Sequence, residues 1–239
     1  MNDYLVFQLY APLVSWGTQA VGQERPGEDH PSRSALLGLL AAALGIDRQD
    51  EANHAALSEA CRFGIKQLAP GLTLRDFHTT QVPPASKKGG HRQTRRDELR
   101  EDKLGTILSF RSYQQDALSI VAVQVTSGPW SLEDLKLALQ QPRYHLYFGR
   151  KSCAPALPLH PQLIEAEHLK AALDAYPVDE QTLELVARRK PRYHWEEMEN
   201  TGLTHDYHAP RYDQPLSRKR WQFGSRREYT WLGGSDVSE

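Results

Sequence analysis

Short apolar runs alternate with polar segments along the first half of the chain, and four of these runs have the composition of strands. Residues 4–10 (YLVFQLY) and 117–125 (ALSIVAVQV) are rich in aromatic and β-branched side chains and are too short for typical helices. Residues 73–80 (TLRDFHTT) and 106–113 (TILSFRSY) have the same character with more polar positions. The pattern predicts four strands, and it predicts that the first strand is buried.

Other apolar runs predict helices. Residues 35–45 (ALLGLLAAALG) are apolar almost all round, which is typical of a buried helix. Ser32 or Ser34 can cap the first turn, and Gly45 can take the left-handed conformation after the last one. Three more helices are predicted, from Asp50 to about Arg62, over 132–141 before Pro142, and over 165–173, with further strands over 182–189 and 228–232.

The segment between the second and third strands has a different composition. Within residues 83–103, Ala85 and Leu99 are the only aliphatic side chains besides the prolines. Such a stretch cannot bury enough apolar surface to fold against a core. We therefore expect a projecting hairpin or finger that is mobile unless a negatively charged partner holds it. Residues 143–160 are expected to form a loop, and residues 190–220 to be irregular.

The order of these elements bears on the fold class. A strand, a helix, a strand, a long hairpin, two strands and a helix follow one another, which approximates the split βαβ pattern of ferredoxin-like domains. The chain of 239 residues is long enough to bury a sizeable core. The pattern therefore predicts an α+β protein, and no internal repeat or linker between independent domains is evident.

Composition excludes several classes of protein. Two cysteines without a CxxC pair exclude a disulfide scaffold and a cysteine-based zinc module. No apolar run reaches the roughly 18–20 residues that span a bilayer. The N-terminus also lacks the basic stretch before an apolar one that a secretion signal needs. We expect a cytoplasmic chain without a membrane partner.

The net charge of −1 conceals an uneven distribution. Residues 83–103 hold 7 Lys or Arg against 4 Asp or Glu, and residues 188–227 hold 10 against 5. The remainder of the chain is acidic overall. Two basic segments on an acidic body are typical of a protein that contacts a polyanion over limited regions. Solvated basic loops, or segments that bind acidic protein neighbours, remain alternatives.

Residues 143–153 (RYHLYFGRKSC) carry the densest chemical signal. They combine three cations, three aromatic rings, a hydroxyl group and a glycine. RNA binding uses these groups, because cations contact phosphate, rings stack on unpaired bases, and glycine lets the backbone approach the strand. The segment therefore predicts an RNA contact, although the same rings could serve as core anchors.

Enzymatic and metal-binding alternatives have weaker support. A metal-independent endoribonuclease needs a base, an acid and a cation, and His78, His91 and His145 are candidates. No motif brings them together. His194, His205 and His208 could ligate a metal but lack an HExxH-type signature. No catalytic residue, metal or cofactor is predicted.

Five segments together resemble one known family. They are YLVFQLYAPLVSWG, PSRSALLGLLAAALGI, LRDFHT, PRYHLYFGRKSC and the closing WLGGSDVS. In this order, from Tyr4 to Ser238, they are similar to the CasD family. That family is the subunit of the type I-E CRISPR Cascade complex that holds the 5′ handle of the guide RNA.

The resemblance implies a fold and a division of the chain. It implies a ferredoxin-like (RRM-like) core over residues 1–150 with a β-hairpin thumb at about 80–112. A C-terminal β-rich region over residues 151–239 would pack on this core. The implied function is a non-catalytic Cascade subunit that caps the guide-RNA 5′ handle. It would link CasC-type backbone subunits to a CasA-type large subunit and meet target DNA through the assembled complex.

The resemblance, together with the basic-aromatic segments, also assigns candidate RNA-binding residues. They are Trp16, Arg33 and Ser34 near the first helix, Lys87, Lys88, Arg92, Arg95, Arg96 and Arg111 in the thumb, and Arg143, Tyr144, Tyr147, Gly149, Arg150, Lys151 and Ser152 in the loop. The helix that begins near Arg33 would offer backbone N–H groups to a phosphate.

Overall fold

The computed structural model describes residues 1–84, 93–100 and 103–233. Its helices are α1 (Arg33–Leu44), α2 (Glu51–Ala60), α3 (Arg95–Glu98), α4 (Leu132–Gln140), α5 (Leu169–Ala175) and α6 (Glu180–Glu184). Its strands are β1 (Asn2–Val14), β2 (Trp16–Gly17), β3 (Glu24–Arg25), β4 (Gly27–Glu28), β5 (Cys61–Ala69), β6 (Leu72–Val82), β7 (Gly105–Val125), β8 (Gln162–Ala166), β9 (Arg192–Trp195), β10 (Tyr207–Ser217) and β11 (Gln222–Trp231). The predicted α+β class is confirmed.

One mixed sheet runs through most of the described chain, in the order β10-β11-β9-β5-β7-β1-β8, with β3 and β6 also paired to β7. Its central pairs are antiparallel. The elements β1, α1, β5, β7, α4 and β8 follow one another in the order of the split βαβ motif, on which the ferredoxin-like prediction rests. Strand β8 lies beyond residue 150 and pairs with β1. The division of the chain at residue 150 stays a prediction.

Strand β1 is buried on both faces, which explains its continuous apolar sequence. Leu5 and Phe7 pack into a core cluster that includes α1 and α4. Tyr4 and Val6 point to the opposite face and pack against a smaller cluster that includes α5. Helices therefore cover both sides of the central strands.

Helix α1 has the termini that its sequence predicts. The Ser32 hydroxyl accepts a hydrogen bond from the backbone N–H of Ala35, and Gly45 takes φ +78° after the last turn. Both the predicted serine cap and the glycine stop are confirmed.

Several predicted elements in the second half of the chain are wrong. Residues 182–189 were expected to form a strand, but the short helix α6 occupies residues 180–184. The 190–220 segment was expected to be irregular, but it contains β9 and β10. Strand β10 contains prolines 210 and 215. They are tolerated because β10 is the edge of the sheet, where a missing N–H costs no ladder bond.

Strand β6 and the first part of β7 form a long antiparallel ribbon at the position of the predicted thumb. Pairing runs from Leu72 opposite Gln115 to Val82 opposite Gly105. Among the described strands, β6 pairs only with β7, so the ribbon extends beyond the main sheet. The two strands predicted at 106–113 and 117–125 are one continuous strand with a left-handed residue between them, Asp116 at φ +53°.

A buried ion pair joins α1 to the C-terminal strands. Arg33 is 4% exposed and forms an ion pair with Glu196, whose carboxylate also accepts the backbone N–H of Phe63. The guanidinium donates further to the carbonyls of Ser58 and Cys61. Burial lowers the pKa of Arg33 and raises that of Glu196, so each charge depends on the other for compensation.

A second buried network lies beside this pair. The Arg226 guanidinium donates to Asp213 at 2.6 Å and to Glu228 at 2.6 Å. The two ring nitrogens of His30 lie 2.8 Å from Asp29 and 2.9 Å from Glu228. Burial alone would lower the pKa of His30, but these two hydrogen bonds raise it to about 9. His30 is therefore a buried cation that links two carboxylates.

A neutral histidine lies against this cation. The rings of His30 and His194 are stacked with centroids 3.8 Å apart and 5° between their planes. Burial and the charge on His30 lower the pKa of His194 to about 3. The stacked pair therefore carries one positive charge, on His30, while His194 is neutral.

No helix in the described part of the chain is long and apolar enough to cross a membrane.

Replacing Arg33 with Ala should destabilise the fold strongly. The change leaves Glu196 buried without its partner, and breaking a buried pair in this way costs about 3–5 kcal/mol. The exposed pair Arg75–Glu24 provides a control, because Arg75→Ala should cost at most about 1 kcal/mol. Denaturant unfolding of both variants measures the difference. Equal losses would show that the buried pair contributes no more than a surface one.

The raised pKa of His30 predicts a pH dependence on the alkaline side. Because the folded chain holds this proton up to about pH 9 and the unfolded chain only to about 6.5, its contribution is complete below 6.5 and disappears as pH rises through 9. The lowered pKa of His194 affects the stability only at acid pH, where protonation of this residue favours the unfolded chain. We expect the free energy of unfolding to fall by about 1–3 kcal/mol between pH 7 and 9.5. Denaturant unfolding at a series of pH values measures it. The His30→Gln variant should lose this slope, and an unchanged slope would contradict the assignment.

Candidate nucleic-acid interface

The loop 143–153 is attached to the core at its start and at its middle by backbone hydrogen bonds. The N–H groups of Arg143 and Tyr144 donate to the carbonyls of Ala43 and Ala42 in the last turn of α1, at 3.0 and 3.1 Å. Further along, the N–H of Ser15 donates to the carbonyl of Phe148 at 3.0 Å, which attaches the loop to the end of β1. The loop is therefore held in place before any partner binds.

The three aromatic rings of the loop divide between two roles. Phe148 is 1% exposed and packs against Trp16, with ring centroids 5.4 Å apart. Tyr144 and Tyr147 are 46% and 41% exposed. The core-anchor alternative thus holds for Phe148, while the two tyrosines remain on the surface, where a base could stack on them.

Glycine is required at position 149. Its φ of +87° lies in the left-handed region, and an added Cβ would overlap the carbonyl oxygen of Ser15. The backbone of Gly149 passes close to that of Ser15, and the loop turns there before Arg150. Gly149 therefore shapes the site without needing to touch a ligand.

The cations of the loop contact neighbouring elements or lie exposed to solvent. The Arg150 Nε donates to the Ser15 hydroxyl at 3.0 Å, and its guanidinium lies 5.3 Å from the ring centroid of Tyr113. Lys151 and Ser152 are exposed. Arg143 runs across Gly45 at the C-terminal end of α1, where the helix dipole favours a cation. A surface with exposed rings and neighbouring cations can bind an unpaired strand.

The predicted contact at the start of α1 is not supported by its surroundings. The backbone N–H of Arg33 already donates to the buried carboxylate of Asp213 at 2.7 Å, and its side chain is committed to Glu196. The Ser34 carbonyl accepts from Arg218 at 2.6 Å. The chain's own carboxylates therefore occupy the place where a phosphate was expected.

Trp16 also differs from its expected role. It is 4% exposed and packs against Phe148 in the core cluster. Its ring supports the loop from below and leaves little surface for a base. Arg33 and Trp16 are therefore structural residues that position the interface.

The predicted thumb residues are partly described. Lys87, Lys88 and Arg92 lie outside the described residues. Arg95 forms an ion pair with Glu98 at 2.7 Å, and Arg96 is exposed. Arg111 lies on the ribbon opposite Asp76. Among the predicted thumb cations that the structure describes, Arg96 and Arg111 form no ion pair with a described carboxylate.

The contacts of the candidate histidines in the fold do not support the endoribonuclease alternative. His78 pairs with Asp76 on the ribbon, and no hydrogen bond or ring contact joins it to His145 within the described chain. His91 lies outside the described residues. Within the described residues, the fold therefore brings no two of the three candidate histidines together.

The three histidines considered as metal ligands separate into two places. His194 is stacked on His30, whereas His205 and His208 pack around the ring of Tyr229. Ligand atoms of His30, His194 and Glu228 do lie within 4.8 Å of one another. However, an imidazole binds a metal in its ring plane, and one ion cannot lie in two parallel planes 3.8 Å apart. This cluster is an ion-pair network.

Sequence reasoning missed two residues of the surface beside α1. Arg48 follows the helix, and its guanidinium lies 4.8 Å from the ring centroid of Trp221 in the turn between β10 and β11. The basic excess over 188–227 was noted, but an aromatic residue next to three cations at 218–220 was the more specific signal.

Comparison with known proteins gives the family. A family model described as "CRISPR-associated protein (Cas_Cas5)" matches residues 4–229. The chain belongs to this family. The CasD resemblance inferred from the sequence is likewise confirmed: the Escherichia coli (strain K12) protein named "CRISPR system Cascade subunit CasD" is 32% identical over 249 residues, with 100% of both chains covered.

Two solved structures have similar folds to this Cas5 chain. A chain of a "CRISPR RNA-guided surveillance complex" has a TM-score of 0.65 and 27% identity, over 95% of this chain and 89% of that one. The other, titled "Crystal structure of Cas protein", has a TM-score of 0.58 and 25% identity, over 96% and 94% of the two chains. The fold is thus shared over nearly its whole length.

Replacing Gly149 with Ala should release the loop. A side chain at position 149 is strained by the positive φ and meets the Ser15 carbonyl. We therefore expect the free energy of unfolding to fall by about 1–3 kcal/mol. Trypsin should also cleave faster after Arg150 and Lys151. Gly17→Ala is the control, because an added Cβ at Gly17 meets no atom within 4 Å. Unfolding and digestion time courses measure both. Identical behaviour of the two variants would contradict the role of Gly149.

Proposed function

We propose that this Cas5 chain is a subunit of a type I-E Cascade complex that binds the 5′ handle of the guide RNA and does not cut it. The observation that carries the proposal is the fixed loop 143–153 with its exposed Tyr144 and Tyr147. The full-length similarity to a Cascade subunit of Escherichia coli supports the assembly, and the chemistry of the loop supports RNA as the ligand.

The geometry of the loop suits the end of a guide strand. A handle must stay in one register so that the remaining bases are free to pair with a target. A preformed loop binds with a smaller entropic cost than a segment that orders on binding. Arg143, Arg150 and Lys151 would contact phosphates, Ser152 would add a hydrogen bond, and the two tyrosines would stack on unpaired bases.

The thumb ribbon provides a second surface for the proposed assembly. Its exposed side chains include Leu72, Phe77 and Ile107, and exposed apolar groups at this density are typical of protein contacts. Arg96 and Arg111 add positive charge to the same ribbon. We propose that it contacts the guide RNA together with a CasC-type backbone subunit, while another face meets a CasA-type large subunit. Target DNA would be reached only through the assembled complex.

Exchanging both loop cations for Ala should weaken RNA binding. For Arg150→Ala with Lys151→Ala we expect roughly 10-fold or more lower affinity for an RNA carrying the handle, because two charge-assisted phosphate contacts are lost. The slope of log K against log salt should fall in magnitude by about 1.4. Fluorescence anisotropy at several salt concentrations measures both quantities.

The matched control for this pair is Lys136→Ala with Lys170→Ala, since both lysines lie on helices outside the loop and pair with carboxylates. Their removal should leave the affinity and the salt slope nearly unchanged. Unchanged values for the loop variant would make loop 143–153 structural and would remove the central support for the proposal.

The endoribonuclease alternative predicts a product that binding alone cannot give. Purified protein incubated with repeat RNA in EDTA should leave the RNA intact, because no contact within the described chain joins the candidate histidines His78 and His145. Release of a fragment ending in a 2′,3′-cyclic phosphate would contradict the non-catalytic proposal. Complex assembly that tolerates complete loss of the handle sequence would favour a purely architectural subunit.

A further inference from the structure

The turn between β10 and β11 is a basic-aromatic surface that the loop does not include. Residues 218–221 (Arg-Lys-Arg-Trp) form this turn, which we call the hairpin tip. It is fixed to the helices on both sides. The Arg218 guanidinium donates to the Ser34 carbonyl of α1 at 2.6 Å, and the Lys219 N–H donates to the Glu51 carboxylate of α2 at 2.7 Å.

Trp221 is presented to solvent in an uncommon conformation. Its side chain is 57% exposed, and its φ of +56° lies in the left-handed region, which is unfavourable for a bulky residue. Phe223 contacts the ring edge-on at a centroid distance of 5.5 Å. Strain of this kind persists where the surrounding structure holds it, and it concentrates at ligand-binding sites.

Two guanidinium groups approach the same ring. Arg48 lies 4.8 Å and Arg218 lies 5.8 Å from the centroid of Trp221. No carboxylate of the described residues lies within ion-pair distance of Arg48, Arg218, Lys219 or Arg220. Burial and the charge of Arg48 lower the pKa of Arg218, so the two guanidinium groups repel each other. An anion bound beside Trp221 would relieve this repulsion.

Single-stranded nucleic acid has the chemistry that fits these groups. Its binding sites combine aromatic side chains that stack on bases with cations that follow the backbone. An acidic protein segment would satisfy the cations but would leave the exposed ring of Trp221 unused. The tip and the loop also meet the same side of α1, since Arg218 lies against Gly38 and Arg143 lies against Gly45, two turns further along the helix.

We propose that Trp221, Arg48 and Arg218 form a second nucleotide-binding site that takes one unpaired base and its phosphate from the guide strand leaving loop 143–153. This inference rests on the proposed function, because the loop supplies the first contact with the strand. The base stacks on Trp221, and Arg48 contacts the adjoining phosphate. The strand thereby follows the side of α1 between two fixed surfaces.

The test measures the affinity of the full chain for a single-stranded RNA carrying the guide 5′ segment, by fluorescence anisotropy. For Trp221→Ala we expect about 5- to 20-fold weaker binding, the effect of losing one base–aromatic stack. Trp221→Phe should restore most of the affinity. Arg48→Gln should reduce the magnitude of the salt slope by about 0.7, whereas Trp221→Ala should leave the slope unchanged.

The control is Tyr212→Ala, because Tyr212 is 58% exposed on the same hairpin and has no cation over its ring within the described chain. Equal losses for Tyr212→Ala and Trp221→Ala would overturn the inference, as would unchanged binding by Trp221→Ala. If the loop variants weaken binding while the tip variants do not, only the second site is refuted. If the wild-type chain binds no RNA, the proposed function fails as well. A tip variant that impairs assembly but not RNA binding would assign the tip to a protein neighbour.

Discussion

The buried pair between Arg33 and Glu196 is the interaction on which the arrangement of the molecule depends. It links the first turn of α1 and the start of β5 to the end of β9, which are far apart in the sequence. The adjoining network of Asp213 and Arg226 closes over the same end of α1, because Asp213 accepts the N–H of Arg33. Compensation is obligatory here, since an unpaired charge at such depth would cost several kcal/mol. The C-terminal strands are thereby held in one position relative to the core.

Helix α1 positions two segments at the surface. Its last turn accepts the hydrogen bonds that fix the loop 143–153, and its side supports the hairpin tip through the contact of Arg218 with Ser34. One buried helix thus orients two exposed basic-aromatic surfaces. Both surfaces combine aromatic side chains with cations in a chain that has almost no net charge. Among the described residues, the carboxylates of Glu196, Asp213 and Glu228 pair with Arg33 and Arg226 inside the fold.

Local patterns in the sequence predicted the central elements well, because helix caps and continuous apolar runs are encoded within a few residues. Ser32 and Gly45 bound α1 as expected, and β1 is buried as its composition indicates. The loop was also found from its composition alone. The elements and residues that the sequence predicts wrongly depend on partners that are far away along the chain. Edge strand β10 lies in a segment that the sequence predicts to be irregular, because its pairing with β11 is set by the folded sheet. The sequence predicts a phosphate ligand at Arg33, but its partner, Glu196, is 163 positions away and only the fold brings the two together.

The central claim is that an RNA strand lies on the surface formed by the loop 143–153. Crosslinking tests it most directly, with a photoreactive uridine placed in turn at each position of the guide 5′ segment in the assembled complex. Mass spectrometry of the crosslinked peptides then identifies the contact residues. We expect crosslinks to the peptide that contains Tyr144 and Tyr147. Crosslinks from every position of the 5′ segment to other subunits, with none to this chain, would contradict it.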